Sequence, residues 1–458
     1  AGAGIAASGD HLETTVVNLT AKAGGGSIFL AETDGVTVKD VSVTVNRVKT
    51  DGAVDGSTVT DSQEDLSTTG ANGHIVLRST TGDITVTDAA DVNVLGVSAH
   101  GSGNILLDAI AGSIDIQTGM ASGSGSISIL ANVNVSQSAT ASDIGTTGGT
   151  LDVLAATGSI SMVDGAVSDT GSGSIRYAAA TTMTLGSLST TGHVSLLGTA
   201  ITDSGTTDTD VTSSTLMVRA TTGFGTGGNH IETTVGTLGA EVGTGGLFVT
   251  ESDGVVVDTV AAVVVNRIGT DGAVASTPTD GVLRDLTTSS NGSVVLVSTL
   301  GDITLKDGSD GDGKTVDVNG SGNIRIDAVA GAVDIQSGVS TGTGPISVLA
   351  GTTLSQSTVA SDVTTVGGTV DMKAGTGIAM VDGALTSSSG GNVRYEAVTG
   401  DITLGEIAAG AGKAAVVATA GSILDLGVDT SVVDITASDL LLTAGTGIAA
   451  SGDHLETT

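Results

Sequence analysis

GSGNILLDAIAGSIDIQTG, residues 101–119, is the stretch that decides the fold of this chain. Alternate positions are apolar in ILLDA and again in SIDI, and this period of two is typical of half-buried β-strands. Glycine precedes each strand-like segment and disfavours a helix there. The stretch therefore predicts two short strands that are joined by a turn.

A diverged copy of this stretch, GSGNIRIDAVAGAVDIQSG, occupies residues 320–338 and indicates which positions face inward. The residues at 105–107 are Ile-Leu-Leu in the first copy, whereas those at 324–326 are Ile-Arg-Ile in the second. Because the middle position accepts an arginine, we expect Leu106 and Arg325 to face water and their neighbours to face the core.

Similar five-residue segments recur along the chain, and no stretch has the i, i+3, i+4, i+7 apolar pattern of an amphipathic helix. The segments include GHIVL at Gly73, GDITV at Gly82, GSISI at Gly125, GTLDV at Gly149 and GSIRY at Gly173. The pattern predicts an all-β chain with strands of roughly five residues and glycine-rich turns.

The whole chain repeats itself on a longer scale. GDHLETT at residues 9–15 returns as GNHIETT at 228–234 and as GDHLETT at 452–458, and many other stretches match at offsets of 218 to 220 residues. We therefore divide the chain into repeat unit A, residues 1–219, a diverged unit B, residues 220–443, and the start of a next unit A, residues 444–458.

The composition selects a β-solenoid among the all-β folds. Of 458 residues, 71 are glycine and only 1% are aromatic, so the core must be a narrow column of small aliphatic side chains. We expect a parallel β-helix rod without a globular domain. A coil of ~22 residues gives about ten coils, or ~48 Å, per unit and ~95 Å for the double repeat.

Segments such as GDITV, GNILL and GSISI, and the string HLETTVVNLTAKAGGGSIFLAETDGVTV at residues 11–38, resemble the repeats of filamentous-haemagglutinin-like bacterial surface proteins. The resemblance covers essentially the whole chain. It implies a right-handed parallel β-helix shaft, an extracellular or cell-surface location, and roles in adhesion, biofilm or filament building. It implies no catalytic residues.

Charge and residue usage exclude several partners and reactions. The net charge of −34 argues against nucleic acids and anionic membranes, and no apolar run is long enough for a membrane helix. There is no cysteine, the six histidines lack metal-ligand spacing, and no GxSxG motif occurs. We therefore expect no enzymatic activity and no required cofactor; a β-helix enzyme that degrades polysaccharides is the less favoured alternative.

One loop is a candidate calcium site. KDGSDGDGK, residues 306–314, interleaves Asp307, Asp310 and Asp312 with glycine, and carboxylates at this spacing can surround a hard cation. The competing interpretation is that Asp-Gly pairs simply form turns. Arg47 and Arg267, each within VNR, are kept in both units, and we expect them to form weak surface ion pairs.

The chain repeats its opening at its end, since residues 447–458 are identical to residues 4–15. We interpret the chain as one period of a longer tandem array, whose partner is itself, through covalent continuation or end-to-end stacking, with lateral bundling as a further mode. The predicted function is a structural segment of an extracellular filament or giant surface fibre. The alternative is an adhesin shaft that binds glycans or a receptor on another cell.

Overall fold

The computed structural model describes residues 4–87, 94–205, 208–426, 433–449 and 454–458. These residues form β-strands, turns and loops, and no α-helix occurs among them. Within these ranges there is accordingly no helix that is long and apolar enough to cross a membrane. The all-β fold class predicted from the sequence is confirmed.

The chain forms two compact units. Unit 1 comprises Ala1–Gly198 and Val263–Asp280, and unit 2 comprises Thr199–Ala262 and Gly281–Thr458. The strands that begin in unit 1 are Leu12–Thr14, Asn18–Leu19, Ala21–Ala23, Ile28–Glu32, Val36–Val38, Val41–Val48, Val54–Gln63, Leu66–Thr68, Ile75–Ser79, Ile84–Val86, Leu95–Ala99, Ile105–Ala109, Ile114–Ile116, Gly119–Ser122, Ile127–Ala131, Val135–Gln137, Ile144–Gly145, Leu151–Ala155, Ile160–Met162, Val167–Asp169, Ile175–Ala179, Met183–Leu185, Ser187–Ser189, His193–Asp203, Val263–Val264, Arg267–Ile268, Val274–Ser276 and Thr279–Asp280.

In unit 2 the strands from Leu286–Thr288 to Glu406–Ala408 have the same order of lengths as those from Leu66–Thr68 to Ser187–Ser189 in unit 1. The strands of unit 2 are Val211–Phe224, Ile231–Val242, Gly246–Glu251, Val255–Val257, Leu286–Thr288, Val294–Ser298, Ile303–Leu305, Lys314–Val318, Ile324–Ala328, Val333–Ile335, Gly338–Thr341, Ile346–Ala350, Leu354–Gln356, Val363–Thr364, Val370–Ala374, Ile378–Met380, Leu385–Ser387, Val393–Ala397, Ile402–Leu404, Glu406–Ala408, Lys413–Ala418, Ile423–Asp425, Ile435–Thr436 and Asp439–Ala444.

Each regular coil consists of three strands, and each strand pairs in parallel with the strand three positions further along the chain. Ile105–Ala109 pairs with Ile127–Ala131 on what we call the first side of the coil. Ile114–Ile116 pairs with Val135–Gln137 on the second side, and Met120 pairs with Ile144 on the third side. This parallel stacking, coil upon coil, is the β-solenoid that the repeat pattern predicts.

The core is a stack of aliphatic side chains that lie in register. Ile75, Ile105, Ile127, Leu151 and Ile175 follow one another at the same position of the first side, and all five are buried. Burial of each such side chain contributes about 1.5–3 kcal/mol. The column is therefore stabilised by repetition of one contact and needs few aromatic residues.

Stacked glycines explain why Gly lies two residues before first-side strands such as Ile105–Ala109, Ile127–Ala131 and Leu151–Ala155. A Cβ on Gly125 would lie 2.1 Å from the carbonyl oxygen of Gly103, and one on Gly149 would lie 2.0 Å from that of Gly125. Side-chain hydroxyls donate hydrogen bonds to these carbonyl oxygens, and Ser122 Oγ donates to the Gly103 carbonyl oxygen at 2.7 Å. The coils consequently approach each other closely at a corner that only glycine can occupy.

Coils are fewer than the predicted ten per unit. In unit 1, parallel pairing on the first side runs through eight successive strands, from Leu12–Thr14 to His193–Asp203. The prediction was too high because the coil is not constant at ~22 residues: turns vary in length, and one coil contains an inserted hairpin, Val41–Val48 with Val54–Gln63.

The matching hairpin in sequence repeat unit B consists of residues 263–280, and we call it hairpin B. It is antiparallel, with Val263 opposite Asp280 and Ile268 opposite Val274. Like the first hairpin, which we call hairpin A, residues 41–63, it interrupts a coil between the second and third sides. Hairpin B belongs to unit 1, which is where the candidate site begins.

Candidate functional site

Hairpin B lies on the outer surface of the first side of unit 1. One register row of that surface, which we call outer row 1, has one residue from each of seven successive first-side strands, Ile28–Glu32 to His193–Asp203. It consists of Phe29, Val76, Leu106, Ser128, Asp152, Arg176 and Ser195. The row is apolar at one end, hydroxylic in the middle and charged at the other end, and hairpin B matches it in that order.

The apolar end is a small second core. Ile268 of hairpin B, with an exposed fraction of 2%, packs with Phe29, Val76 and Leu106. The expectation that Leu106 faces water is therefore wrong: its side chain does point outward, but hairpin B covers it. Arg325, at the same position of unit 2, is exposed as expected.

The middle of the interface is held by hydroxyl groups of outer row 1 and its neighbours. The backbone N–H of Ile268 donates to Ser128 Oγ at 2.9 Å, and the N–H of Asn266 donates to Thr150 Oγ1 at 2.8 Å. The Asn266 amide also donates to Ser126 Oγ at 3.0 Å. These bonds satisfy two backbone N–H groups and one side-chain amide of hairpin B.

The charged end is an alternating chain of four groups. Arg267 Nε donates to Asp152 Oδ2 at 2.7 Å, and Arg176 contacts both Asp152 Oδ1 at 3.2 Å and Asp280 Oδ2 at 3.0 Å. Ser195 Oγ donates to Asp280 at 2.7 Å. Asp152 is fully buried. The expectation of a weak surface pair for Arg267 is therefore wrong, because its partner lies beneath the hairpin.

This arrangement fixes where the hairpin sits. A buried carboxylate such as Asp152 is tolerated only while both arginines remain in place, so displacement of hairpin B leaves a charge without its full set of partners. Near the hairpin tip, the Asn104 amide donates to the Gly272 carbonyl at 2.9 Å. The surface of unit 1 thus recognises the hairpin by charge order as well as by shape.

The predicted calcium loop brings two of its three aspartates together. Asp310 and Asp312 are exposed and form a group with the buried Asp285, in which the carboxylate oxygens lie within 4.8 Å of one another. We call these three residues the acidic loop cluster. Its geometry suits a hard cation that takes several oxygen ligands at once.

Asp307, the third predicted ligand, lies outside this group. Its Oδ2 accepts a hydrogen bond from the Gly313 N–H at 3.3 Å, and its Oδ1 is buried without a hydrogen-bond partner. The corresponding loop of unit A falls on residues 88–93, which are outside the described residues.

Burial and the neighbouring carboxylates perturb the acidic loop cluster. Burial, the larger cause, together with the charges of Asp310, Asp312 and Asp307, raises the pKa of Asp285 to about 7. A hydrogen bond from the Gly308 N–H, at 3.0 Å, opposes this rise. A proton or a divalent cation would relieve the same repulsion. The residues present thus fit calcium by their chemistry.

Among the described residues, two further acidic triads occur at equivalent positions of the repeat, and sequence reasoning missed both. They are Asp203, Asp210 and Glu232, and Asp425, Asp434 and Glu456. In each, the middle aspartate accepts a hydrogen bond at 2.8 Å from the backbone N–H of the glutamate. Burial is the main cause that raises the pKa of Asp210 to about 9 and that of Asp434 to about 6.

Coil spacing is the signal that would have found these acids. Asp285 lies one coil before the loop at 306–314, and Asp210 lies one coil before Glu232, which belongs to the HIETT segment at 230–234. Motif searches compare residues that are close along the chain. In a solenoid, residues about 22 apart are neighbours, so a search at that spacing is needed.

Comparisons with known proteins identify no relative. No protein-family model, no curated protein and no solved structure matches this chain.

Proposed function

We propose that this chain is a non-enzymatic structural segment of an extracellular filament or cell-surface fibre. The observation that supports the proposal is the register of the core: the same aliphatic position is stacked in coil after coil, as from Ile105 to Ile127 to Leu151. Such stacking lengthens the solenoid by repeating the same core contact in each added coil, as is expected of a fibre segment.

The use of charged groups also supports a structural role. Asp152 and Arg176 of outer row 1 form ion pairs with each other and with Arg267 and Asp280 of hairpin B. Groups whose charges are paired in this way are poor general acids or bases, because a catalytic acid or base needs a pKa near the working pH. The acidic loop cluster and the two acidic triads, of which the triads occupy equivalent positions of the repeat, are proposed as sites at which calcium stiffens the fibre.

Immunogold electron microscopy tests the location and the filament. Antibodies raised against the purified chain are applied to intact cells and to thin sections. We expect gold particles along surface fibres, and purified fibres that show a layer spacing of ~4.8 Å with an axial period shorter than ~95 Å. Label that is confined to the cytosol would overturn the proposed location.

A separate assay tests the absence of enzymatic activity. The purified chain is incubated with a panel of acidic and neutral polysaccharides, and new reducing ends are measured. We expect no release above the buffer control. Release that disappears when surface carboxylates such as Asp310 are replaced by asparagine would identify an enzyme and refute the structural assignment.

A further inference from the structure

Hairpin A repeats the sequence of hairpin B but lacks its cover. Val43, Val45 and Val48 correspond to Val263, Val265 and Ile268 at an offset of 220 residues. The exposed fractions are 55%, 53% and 65% in hairpin A, against 0%, 1% and 2% in hairpin B. Hairpin A therefore presents to solvent the apolar side chains by which its counterpart binds.

Unit 2 carries a counterpart of outer row 1, which we call outer row 2. It consists of Phe248, Val295, Arg325, Ser347, Asp371, Arg394 and Ala415, in register from coil to coil. Asp371 pairs with Arg394 at 3.2 Å, as Asp152 pairs with Arg176 at 3.2 Å. The side chain of Asp371 is 41% exposed, whereas that of Asp152 is 0% exposed.

The part of the chain that the structure describes thus has one covered row, outer row 1, one exposed hairpin, hairpin A, and one uncovered row, outer row 2. We propose that hairpin A of one molecule docks on outer row 2 of a second copy of this chain, in the way hairpin B lies on outer row 1. This inference rests on the hairpin geometry alone and does not depend on the proposed location or on the absence of catalysis.

Register assigns the charge pairs of this contact. Val43 stands opposite Asp61 in hairpin A, as Val263 stands opposite Asp280 in hairpin B. Asp61 therefore corresponds to Asp280 and meets Arg394 of the second copy. By the same correspondence Arg47, the counterpart of Arg267, meets Asp371. Selective docking requires that opposite charges face each other along the two surfaces.

The two rows differ at two positions, because Arg325 replaces Leu106 and Ala415 replaces Ser195 in outer row 2. The other five positions, which include the Asp–Arg pair, are the same in both rows.

Thiol cross-linking tests the contact, and the chain suits it because it has no cysteine. Two variants, Asp61→Cys and Arg394→Cys, are purified separately and then mixed at physiological salt with a short bifunctional maleimide. Both residues are exposed, so both variants should keep the native circular dichroism spectrum. We expect a cross-linked dimer that contains one chain of each variant.

Matched mixtures exclude accidental contacts. Neither variant alone should give the dimer, because each then faces a native residue without a thiol. Val366→Cys, in an exposed turn of unit 2 away from outer row 2, should not cross-link with Asp61→Cys. No dimer in the first mixture, or equal yields from all mixtures, would overturn the inference while leaving the fibre proposal untouched.

A second measurement uses the chain with its charges intact. Sedimentation of the wild-type chain should show association that grows with concentration, and Val43→Ser with Val45→Ser should lower the association constant at least about tenfold. The two valines are exposed in the single molecule, so their replacement should leave its unfolding unchanged. Equal association of the wild type and the variant would also refute the contact.

Discussion

Replacement of Asp152 by alanine should release hairpin B from unit 1. The carboxylate is fully buried and holds Arg267 at 2.7 Å and Arg176 at 3.2 Å. Its removal leaves Arg176 with Asp280 but leaves Arg267 without an acidic partner. Breaking a buried pair from one side costs about 3–5 kcal/mol. We expect this cost to fall on the hairpin, since the coil beneath it keeps its own aliphatic core.

Asp371→Ala is the matched control for this variant. Asp371 occupies the same register position and pairs with Arg394 at the same 3.2 Å, but both side chains are more than two-fifths exposed and no hairpin covers them. A pair of this kind is worth about 0–1 kcal/mol. The two variants therefore differ chiefly in whether a hairpin lies above the carboxylate.

Hydrogen exchange followed by mass spectrometry measures the effect locally, which matters because long repeat arrays do not unfold in a single step. A loss of about 3 kcal/mol corresponds to about a hundredfold faster exchange in residues 263–280. In Asp371→Ala we expect less than about a tenfold change anywhere. Equal effects of the two variants, or an unchanged hairpin in Asp152→Ala, would refute the reasoning.

Three further outcomes are expected. Tyr177→Phe removes a buried hydroxyl that donates to Gln137 Oε1 at 2.9 Å, and should destabilise its coils by about 1 kcal/mol, measured as faster amide exchange; an unchanged rate would contradict this. Burial raises the pKa of Asp210 to about 9 from 3.8, so the folded chain holds that proton more tightly than the unfolded chain does, and stability should fall as pH rises through this interval. Asp210→Asn should flatten the melting temperature between about pH 5 and pH 9, and a profile as steep as that of the wild type would count against it. Calcium should raise the melting temperature of the wild type at neutral pH and raise that of Asp285→Asn less, with magnesium as the control ion; identical shifts would remove the acidic loop cluster as a site.

The strands could be predicted from the sequence because each depends on residues that are adjacent in the chain. Ile105 and Ile324 lie inside, as the period of two requires, and each is at most 2% exposed. The parallel stacking followed from repetition and from the scarcity of aromatic residues. These are local properties, and the differences between repeat units A and B indicated which alternate positions accept a charged residue.

The errors came from contacts between residues that are far apart in sequence. Leu106 was expected to face water, but Ile268 covers it, and Arg267 was expected to be a surface residue although it contacts the buried Asp152. Neither contact leaves a local pattern. The acidic loop cluster was only partly predicted for a similar reason, since Asp285 comes from the preceding coil.

The docked hairpin has a consequence for the order in which the chain reaches its native state. Ser128 and Ile268, which bond through a hydroxyl and an amide, are 140 residues apart, and His11 reaches the Thr270 carbonyl across 259 residues. A ribosome or an export channel that delivers the chain from its N-terminus releases outer row 1 well before hairpin B. During that interval the apolar end of the row is open to any hairpin of the same kind. Closure of so long a loop is slow. The rate at which the chain is delivered therefore decides whether outer row 1 binds hairpin B of its own chain or first binds a hairpin of another molecule.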